Sequence, residues 1–292
     1  MKWLNAFVLL ILPVLTSQAQ KWAFGFKAGA SYSSIAGPTE PNETVRFQYG
    51  IHIGPEFKLV LHPFFGLFSA LEYHQGGAEY SYKGPGYFVF RHPARDAFVN
   101  GEIQKSYFVE NAYIGIPIGI YAGPWKSLQI GAGLTTNLLI SSTARGNLQF
   151  AYISPNGKPK NFEVKLDYNY FRDEPGQPPK RTALFTRPRT IHTTILQGIE
   201  YNVPEFLGAY YFYREKNGRL YKTFDFGWNI WLRYYLNDAF FIGIYYYRGF
   251  VDITNNAMDL RHQLDDQHPT DLPRSSDIDR NIIYRLTVGF SF

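Results

Sequence analysis

Hydrophobic residues occupy every second position in several segments of this chain. In "WAFGFKAGASYSS", which begins at Trp22, large or apolar residues alternate with glycine, serine and a lysine. The segment "NIIYRLTVGFSF", which ends at Phe292, repeats the pattern. A period of two is that of a β-strand, whose successive side chains point to opposite faces. Both segments are therefore predicted to be strands with one apolar face and one face of small or polar residues.

The same period predicts eight strands along the chain. They lie at residues 22–34, 47–59, 65–75, 107–121, 127–142, 223–236, 240–248 and 281–292. Short connections are predicted at Pro63, at Pro124 and at Asn237–Asp238, and long ones at residues 34–46, 77–106, 143–222 and 249–280. Short turns on one side and long loops on the other are typical of outer-membrane barrels, with the loops extracellular. Pro55 predicts a local irregularity, because proline cannot donate to a β-ladder.

The predicted fold is an all-β, antiparallel, up-and-down transmembrane β-barrel of eight strands, with ten strands as the alternative. The alternative arises because residues 190–203 also alternate weakly. The insert at about 143–222 is too long to be structureless, and Asn156–Gly157 and Asn217–Gly218 predict two hairpins within it. A soluble sandwich is disfavoured because the second face of the strands is mostly glycine and serine.

Composition narrows the cellular setting. Residues 1–19 contain one lysine, an apolar run and a small-x-small site, which predicts a secretory signal peptide before a barrel domain at 20–292. The chain has no cysteine, 26 glycines, 25 Phe and 23 Tyr. After the predicted signal peptide, no apolar run reaches the length of a membrane helix, so membrane insertion requires a closed barrel.

Several segments resemble the PorT-like outer-membrane β-barrel family of Bacteroidetes. They are "FGFKAGASYSSIAG", "SALEYHQGGAEY", "AYIGIPIGIYAG", "LQIGAGLTTNLLIS", "FIGIYYYRGFVDI" and "YRLTVGFSF", in this order. The resemblance covers most of the chain except the insert at about 143–222. The resemblance implies an eight-stranded barrel in the outer membrane of a Gram-negative bacterium. The protein for which the family is named takes part in a secretion apparatus, so the resemblance also implies a secretion-associated role as an expectation.

Charged residues fall on the face opposite the apolar one and are expected to point into the lumen. We call them the lumen charge cluster: Lys27, His52, Glu56, Lys58, Glu72, His74, Asp225, Arg233 and Arg285. Glu110 shares the parity of the apolar residues and is expected at the outer rim. Side chains fill the interior of an eight-stranded barrel, and unpaired buried charges are costly. The cluster is therefore expected to plug the lumen with paired charges.

No catalytic motif or cofactor site is recognisable. The chain lacks G-x-S-x-G and H-E-x-x-H spacings, so it is expected not to be an enzyme, with a rim-active barrel hydrolase as the alternative. The stretch "DLRHQLDDQH" contains weak metal candidates, namely His262, Asp265, Asp266 and His268. Imidazole and carboxylate ligands suit zinc and calcium, but the spacing matches no known metal loop, and a solvated acidic loop is the simpler interpretation.

Two long loops carry opposite charge. Residues 143–190 contain nine Lys/Arg and four acids, a net of +5, whereas residues 249–280 contain three Arg and seven Asp, a net of −4. One interpretation is that both loops are plain solvated surfaces. The alternative is that they dock on each other, with Arg187 or Arg189 against Asp265 or Asp266. The basic loop could instead bind phosphates of lipopolysaccharide or an acidic glycan. Nucleic acid is not expected, because the basic residues form no groove with interleaved aromatics.

The terminal strand carries a candidate assembly signature. Tyr284, Phe290 and Phe292 lie on its apolar face, as in C-terminal strands that barrel assembly machinery inserts. The expected partners are outer-membrane lipid, lipopolysaccharide, this machinery and other envelope or secretion proteins. The chain is thus expected to act through its loops in binding, structure or secretion, and a narrow pore is a further alternative.

Overall fold

The computed structural model describes residues 21–125, 127–180, 189–262 and 276–292. Fourteen strands lie in this part of the chain: β1 Lys21–Ala36, β2 Glu43–Arg46, β3 Gln48–His62, β4 Phe65–Ala70, β5 Glu72–Phe90, β6 Ala97–Trp125, β7 Leu128–Ile153, β8 Pro159–Asn169, β9 Thr190–Leu196, β10 Ile199–Pro204, β11 Phe206–Leu207, β12 Phe224–Tyr235, β13 Phe240–Gly249 and β14 Arg280–Ser291. The all-β prediction is confirmed. The predicted signal peptide lies outside the described residues. Among those residues, none of the helical segments has the length and hydrophobicity to span a membrane.

Eight segments pair in one antiparallel series that returns to its first strand. β1 pairs with β3, β3 with β4 and β5, and both of these with β6. β6 then pairs with β7, β7 with β12, β12 with β13, β13 with β14, and β14 with β1. The total of fourteen strands exceeds the predicted eight. β4 and β5 share one segment, and β2, β8, β9, β10 and β11 lie in the long connections.

The interruption between β4 and β5 lies opposite Pro55. β4 ends at Ala70 and β5 begins at Glu72, and the intervening Leu71 N–H donates to the Pro55 carbonyl at 3.1 Å. Proline has no N–H to return the second ladder bond, so the strand breaks there. The predicted irregularity at Pro55 is confirmed.

The outward face of the series is apolar and is bordered by aromatic residues at both ends. One border consists of Tyr32, Tyr49, Trp228, Tyr246 and Tyr284, whose neighbouring rings contact each other. The opposite border consists of Trp22, Phe64, Trp125, Phe240 and Phe292. Exposed leucine, isoleucine and valine side chains cover the surface between the borders. This banding is the arrangement that suits a bilayer with two interfaces.

Three strands, β5, β6 and β7, continue well past the first aromatic border, and β8 lies entirely beyond it. β6 is 29 residues long and β7 is 26 residues long, and β5 and β8 pair with their extensions. Residues 77–90, 97–106 and those just after 143 are therefore in strands rather than in the predicted loops. The predicted hairpin at Asn156–Gly157 joins β7 to β8, and Gly157 has a φ of 76°, which favours glycine.

The second predicted hairpin, at Asn217–Gly218, is wrong. Residues 209–220 contain no strand, and Tyr221 makes a single bridge to Thr254. Tyr210 and Tyr213 are buried in the aromatic core beneath this segment. The Tyr210 hydroxyl accepts from the Leu220 N–H at 3.1 Å, while the Tyr213 hydroxyl donates to the Met258 carbonyl. Burial of the Tyr210 and Tyr213 rings therefore stabilises this segment in place of the hydrogen-bonded ladder of the predicted hairpin.

The weak alternation at 190–203 corresponds to a separate hairpin. β9 and β10 pair with each other as a two-stranded sheet and have no partner in the eight-segment series among the described residues. Its turn is Gln197–Gly198, with φ values of 51° and 80°. These strands are thus not the ninth and tenth members of that series.

Val288→Arg tests whether the apolar band faces lipid. Val288 of β14 is 47% exposed, and in sequence it lies midway between the border residues Tyr284 and Phe292. Placing a guanidinium at a bilayer midplane costs about 2–4 kcal/mol. We expect urea unfolding from phospholipid vesicles to show a loss of this size.

The control variant is Ser106→Arg, on the exposed part of β6 beyond the aromatic border. It should leave unfolding unchanged. An equal effect of both variants, or none for Val288→Arg, would contradict a lipid-facing band.

Candidate functional site

The nine residues of the lumen charge cluster all lie on the inward face of the series. Eight are at most 3% exposed, and the Arg285 side chain is 8% exposed. Strand alternation directs them inward, because their neighbours along each strand are the exposed apolar residues. Glu110 is exposed on β6, on the outward side.

Glu72 connects three strands across the interior. Its carboxylate forms an ion pair with Lys27 of β1 and accepts a hydrogen bond from Arg285 Nη1 of β14 at 2.5 Å. Lys27 also lies over the Tyr245 ring, 4.7 Å from its centroid. Two cations thus lie beside one carboxylate, and the face of the Tyr245 ring stabilises part of the excess positive charge.

Glu56 forms the second ionic centre. Arg233 Nη1 and Nη2 donate to its two carboxylate oxygens at 2.8 and 2.7 Å, the bidentate geometry of a strong pair. Lys58 Nζ lies 3.4 Å from the same carboxylate. The Arg233 guanidinium also lies 4.2 Å from the Trp231 ring centroid. This pair joins β3 to β12 through the middle of the series.

Aromatic side chains fill the space around these charges. Phe68, Tyr121, Trp231 and Tyr245 form a buried cluster, with Phe68 meeting Trp231 edge-on at 5.2 Å. A Cβ atom on Gly131 would lie 2.3 Å from the Trp231 ring, so only glycine permits this indole position. These rings were not among the predicted site residues, although Trp231 shares the inward face of β12 with Arg233.

The remaining cluster members have polar or aromatic neighbours. His52 Nε2 lies 2.9 Å from the Thr287 hydroxyl, and His74 stacks on Tyr113 at 5.3 Å. Asp225 accepts hydrogen bonds from the side-chain amides of Asn137 and Asn281 at 3.3 and 2.8 Å. Near Lys27, Glu72 and Arg285 a void of about 10 Å³ remains, which is about the room one water needs.

A different kind of space lies among the long strands and connections beyond the aromatic border. We call it the tyrosine–carboxylate cavity, and its volume is about 150 Å³. Its tyrosines are Tyr80, Tyr87, Tyr107, Tyr168, Tyr170, Tyr213 and Tyr221. Its carboxylates are Glu40, Glu43, Asp259, Asp277 and Asp279, and its basic residues include Lys105, Arg261 and His262. The surrounding core is tightly packed and aromatic.

Three of the carboxylates are crowded together. The oxygens of Asp259, Asp277 and Asp279 lie within 4.8 Å of one another. Burial and the neighbouring Asp277 and Asp279 raise the pKa of Asp259 to about 7. Burial and Asp277 also raise the pKa of Asp279 to about 6, although the Thr254 hydroxyl donates to it at 3.0 Å. Ionising this group is therefore costly unless a cation lies nearby.

The tyrosines present both ring faces and hydroxyl groups. Tyr80 and Tyr107 stack at 5.2 Å with an interplanar angle of 10°, and Lys105 Nζ lies 4.4 Å from the Tyr107 centroid. Tyr170 and Tyr221 meet edge-on at 5.1 Å. The hydroxyls of Tyr168, Tyr170 and Tyr221 make no hydrogen bond within the described parts of the chain, although these side chains are at most 6% exposed.

Of the four weak metal candidates, only His262 is described. Its backbone N–H donates to a Glu40 carboxylate oxygen at 3.1 Å, its Nδ1 lies 3.4 Å from the same oxygen, and its ring stacks on Tyr82 at 3.8 Å. Asp265, Asp266 and His268 lie outside the described residues, as does Arg187. Arg189 is exposed. Loop docking and the metal site stay predictions.

Sequence reasoning counted Asp259, Asp277 and Asp279 only as part of an acidic loop and missed the tyrosines around them. A usable signal was the stretch "GAYYFYREKNGRLY" at 208–221, because a solvated loop has no need of so many aromatic residues. The sequence could not show that these aspartates and tyrosines lie together, because the cavity is formed by residues from both ends of the chain.

Arg233→Met tests the charge pairing in the lumen. The change leaves Glu56 buried with only Lys58 beside it, and breaking such a pair typically costs about 3–5 kcal/mol. We expect urea unfolding to show this loss, and the double variant Glu56→Gln/Arg233→Met to recover part of it. Arg145→Met, at an exposed site, is the matched control. A double variant as unstable as Arg233→Met would contradict the pairing.

Asp259→Asn tests the crowded carboxylates. Because the pKa of Asp259 rises from its ordinary 3.8 to about 7 on folding, stability is lost as pH rises between these values. The variant should melt above the wild type at pH 8, and the difference should vanish near pH 4. Asp238→Asn, the same change in an exposed turn, should show no such pH dependence. A variant less stable than the wild type at pH 8 would contradict the crowding.

One protein family matches most of this chain. The family described as "Outer membrane protein beta-barrel domain" matches residues 17–255. A search of curated proteins finds no match. Similar solved structures include Ail, the attachment invasion locus protein of Yersinia pestis, at 7% identity, covering 93% of this chain and 99% of that chain with a TM-score of 0.35.

Two further solved structures are similar at the same low level. OprG from Pseudomonas aeruginosa is 10% identical, with 94% of this chain and 97% of that chain covered and a TM-score of 0.31. The outer membrane protease OmpT from Escherichia coli is 9% identical, with 95% and 99% covered and a TM-score of 0.33. The family match itself spans well over half of the chain. This outer-membrane protein therefore belongs to the outer membrane protein beta-barrel domain family.

Proposed function

We propose that this chain is a non-conducting, non-enzymatic outer-membrane barrel that binds a small ligand in its tyrosine–carboxylate cavity. The observation that carries the proposal is a cavity of about 150 Å³ inside an aromatic core, lined by carboxylates and by the hydroxyls of Tyr168, Tyr170 and Tyr221, which make no hydrogen bond within the described residues. Concave sites with an apolar wall and a few convergent polar groups are typical ligand sites.

The proposed membrane-spanning part is the eight-segment series. Its outward face is apolar between two aromatic borders, and its backbone pairs from β1 round to β14 and back to β1. Backbone pairing without an edge is what lipid requires. The connections β3–β4 and β12–β13 are short, so we place that end in the periplasm and the long strands with the cavity outside the cell.

The interior supports the absence of conductance. Ion pairs at Glu56 and Glu72 and the rings of Phe68, Trp231 and Tyr245 occupy it. A pore would need a continuous aqueous path, and side chains fill a barrel of this size. We therefore expect planar bilayers containing the protein to show no stepwise conductance, which separates this proposal from a narrow pore.

A PorT-like role within the family belongs to the same proposal as an alternative. The ordered sequence segments support it, and an outer binding domain suits a subunit of an envelope or secretion assembly. Crosslinking in intact outer membranes would identify stable protein neighbours. Such neighbours with no small-molecule binding would favour this role over ligand binding.

A thermal-shift panel tests ligand binding directly. The full chain, folded in vesicles, would be screened against sugars, amino acids, anions and amines. We expect at least one class to raise the melting temperature by several degrees, because binding to the folded state alone is stabilising. Ala209→Phe, which adds a ring at the cavity wall, should abolish the shift.

Ala151→Phe is the matched control, since Ala151 is exposed on β7 and does not line the cavity. It should leave the shift intact. If no class raises the melting temperature, or if Ala209→Phe leaves the shift unchanged, the cavity is not the binding site.

A further inference from the structure

The tyrosine–carboxylate cavity has an excess of negative charge. Among the described residues that line it, the formal charges of Glu40, Glu43, Asp259, Asp277 and Asp279 against Lys105 and Arg261 sum to −3, with His262 counted as neutral. Part of this excess is poorly solvated, since Asp259 and Asp279 are half-buried and crowded against Asp277. A bound cation would remove the penalty of ionising them.

The aromatic walls favour one kind of cation over another. Metal ions such as Ca²⁺ take six to eight oxygen ligands, whereas seven of the residues that line this cavity are tyrosines, which present rings as well as hydroxyls. Lys105 Nζ at 4.4 Å from the Tyr107 centroid shows that an ammonium group already lies against this wall. Ammonium and alkylated ammonium groups are attracted to tyrosine faces, and such aromatic cages recognise quaternary ammonium ligands.

Buried hydroxyls provide a second and independent indication. Tyr168, Tyr170 and Tyr221 line the cavity at 3–6% exposure, and their hydroxyls lack a hydrogen-bond partner in the described residues. Buried polar groups normally have partners. A ligand with its own hydroxyl or N–H group would supply them.

Size limits the ligand to a small head group. A cavity of about 150 Å³ is comparable to an engineered protein cavity that holds benzene. A quaternary nitrogen with its methyl groups and a short hydroxyalkyl arm is of this order. A long polyamine or a folded peptide segment would exceed it.

From charge, ring faces, free hydroxyls and volume together, we infer that the tyrosine–carboxylate cavity binds a small organic ammonium ion. The inference rests on the proposed binding function and specifies its ligand class. The carboxylates compensate the positive charge, the tyrosine rings of the wall contact the cation, and the hydroxyls of Tyr168, Tyr170 and Tyr221 bond the polar arm.

The protonation state of the carboxylates sets the pH dependence. The titratable and charged groups that line the cavity together with Asp259 are Glu40, Glu43, Tyr80, Tyr87, Lys105, Tyr107, Tyr168, Tyr170, Tyr213, Tyr221, Arg261, His262, Asp277 and Asp279. Since burial raises the pKa of Asp259 to about 7 and that of Asp279 to about 6, both are largely neutral at pH 5 and charged at pH 8. Cation affinity should therefore rise from pH 5 to pH 8.

Choline is a suitable probe, and 3,3-dimethylbutan-1-ol is its uncharged counterpart of the same shape. Titration calorimetry of the full chain in vesicles should show saturable choline binding at pH 8, at least tenfold weaker binding at pH 5, and none of the alcohol. Potassium chloride at equal ionic strength controls for screening.

The variant Asp259→Asn/Asp279→Asn should bind choline at least tenfold more weakly. It should fold, because it removes charges that destabilise the cavity. Glu163→Gln, at an exposed acid outside the cavity, should change affinity less than twofold and serves as the matched control.

Three results would overturn the inference: equal binding of the alcohol and choline, binding of Ca²⁺ in preference to choline, or no effect of the double variant. If choline fails while another class from the thermal-shift panel binds and Ala209→Phe abolishes that binding, the proposed function stands and only the ligand class is wrong. If nothing binds, both fail.

Discussion

Compensation of buried charge in the lumen is the interaction on which the rest of the structure depends. Glu72 joins β1, β5 and β14, and Glu56 joins β3 to β12, so two carboxylates connect five strands across the interior. An unpaired charge there would be costly, which ties the register of these strands to each other. Because strand alternation sends the neighbouring residues outward, the same register also places the apolar band on the opposite face.

The outer part of the molecule depends on a different constraint. There the strands leave the apolar band, and their inward faces bury phenylalanine and tyrosine against the connections. Phe88 and Phe150, for example, are 0% and 1% exposed in this core. Within such close packing, a cavity lined by mutually repelling carboxylates lowers the stability of the protein. Proteins commonly tolerate such a loss of stability at a binding site.

Much of the fold could be predicted from the sequence. Alternation located all eight segments of the series, and Pro55 marked the break between β4 and β5. Local pattern failed where tertiary burial outweighed it. Asn217–Gly218 has good hairpin chemistry, yet Tyr210 and Tyr213 gain more from the core than from a ladder. The hairpin β9–β10 shows the reverse case, because its alternation was real but belonged to a separate sheet.

The sequence by itself determined which side chains share a strand face, because the period of two is a property of the extended backbone alone. It thus placed Lys27, Glu56, Arg233 and their companions on the inward parity. Only the tertiary structure decided which of them meet, since Glu56 and Arg233 are 177 residues apart. The cavity likewise forms only in the folded chain. Glu40 and Asp279 come from opposite ends of the chain, and a local sequence pattern contains no information about the distance between them in space.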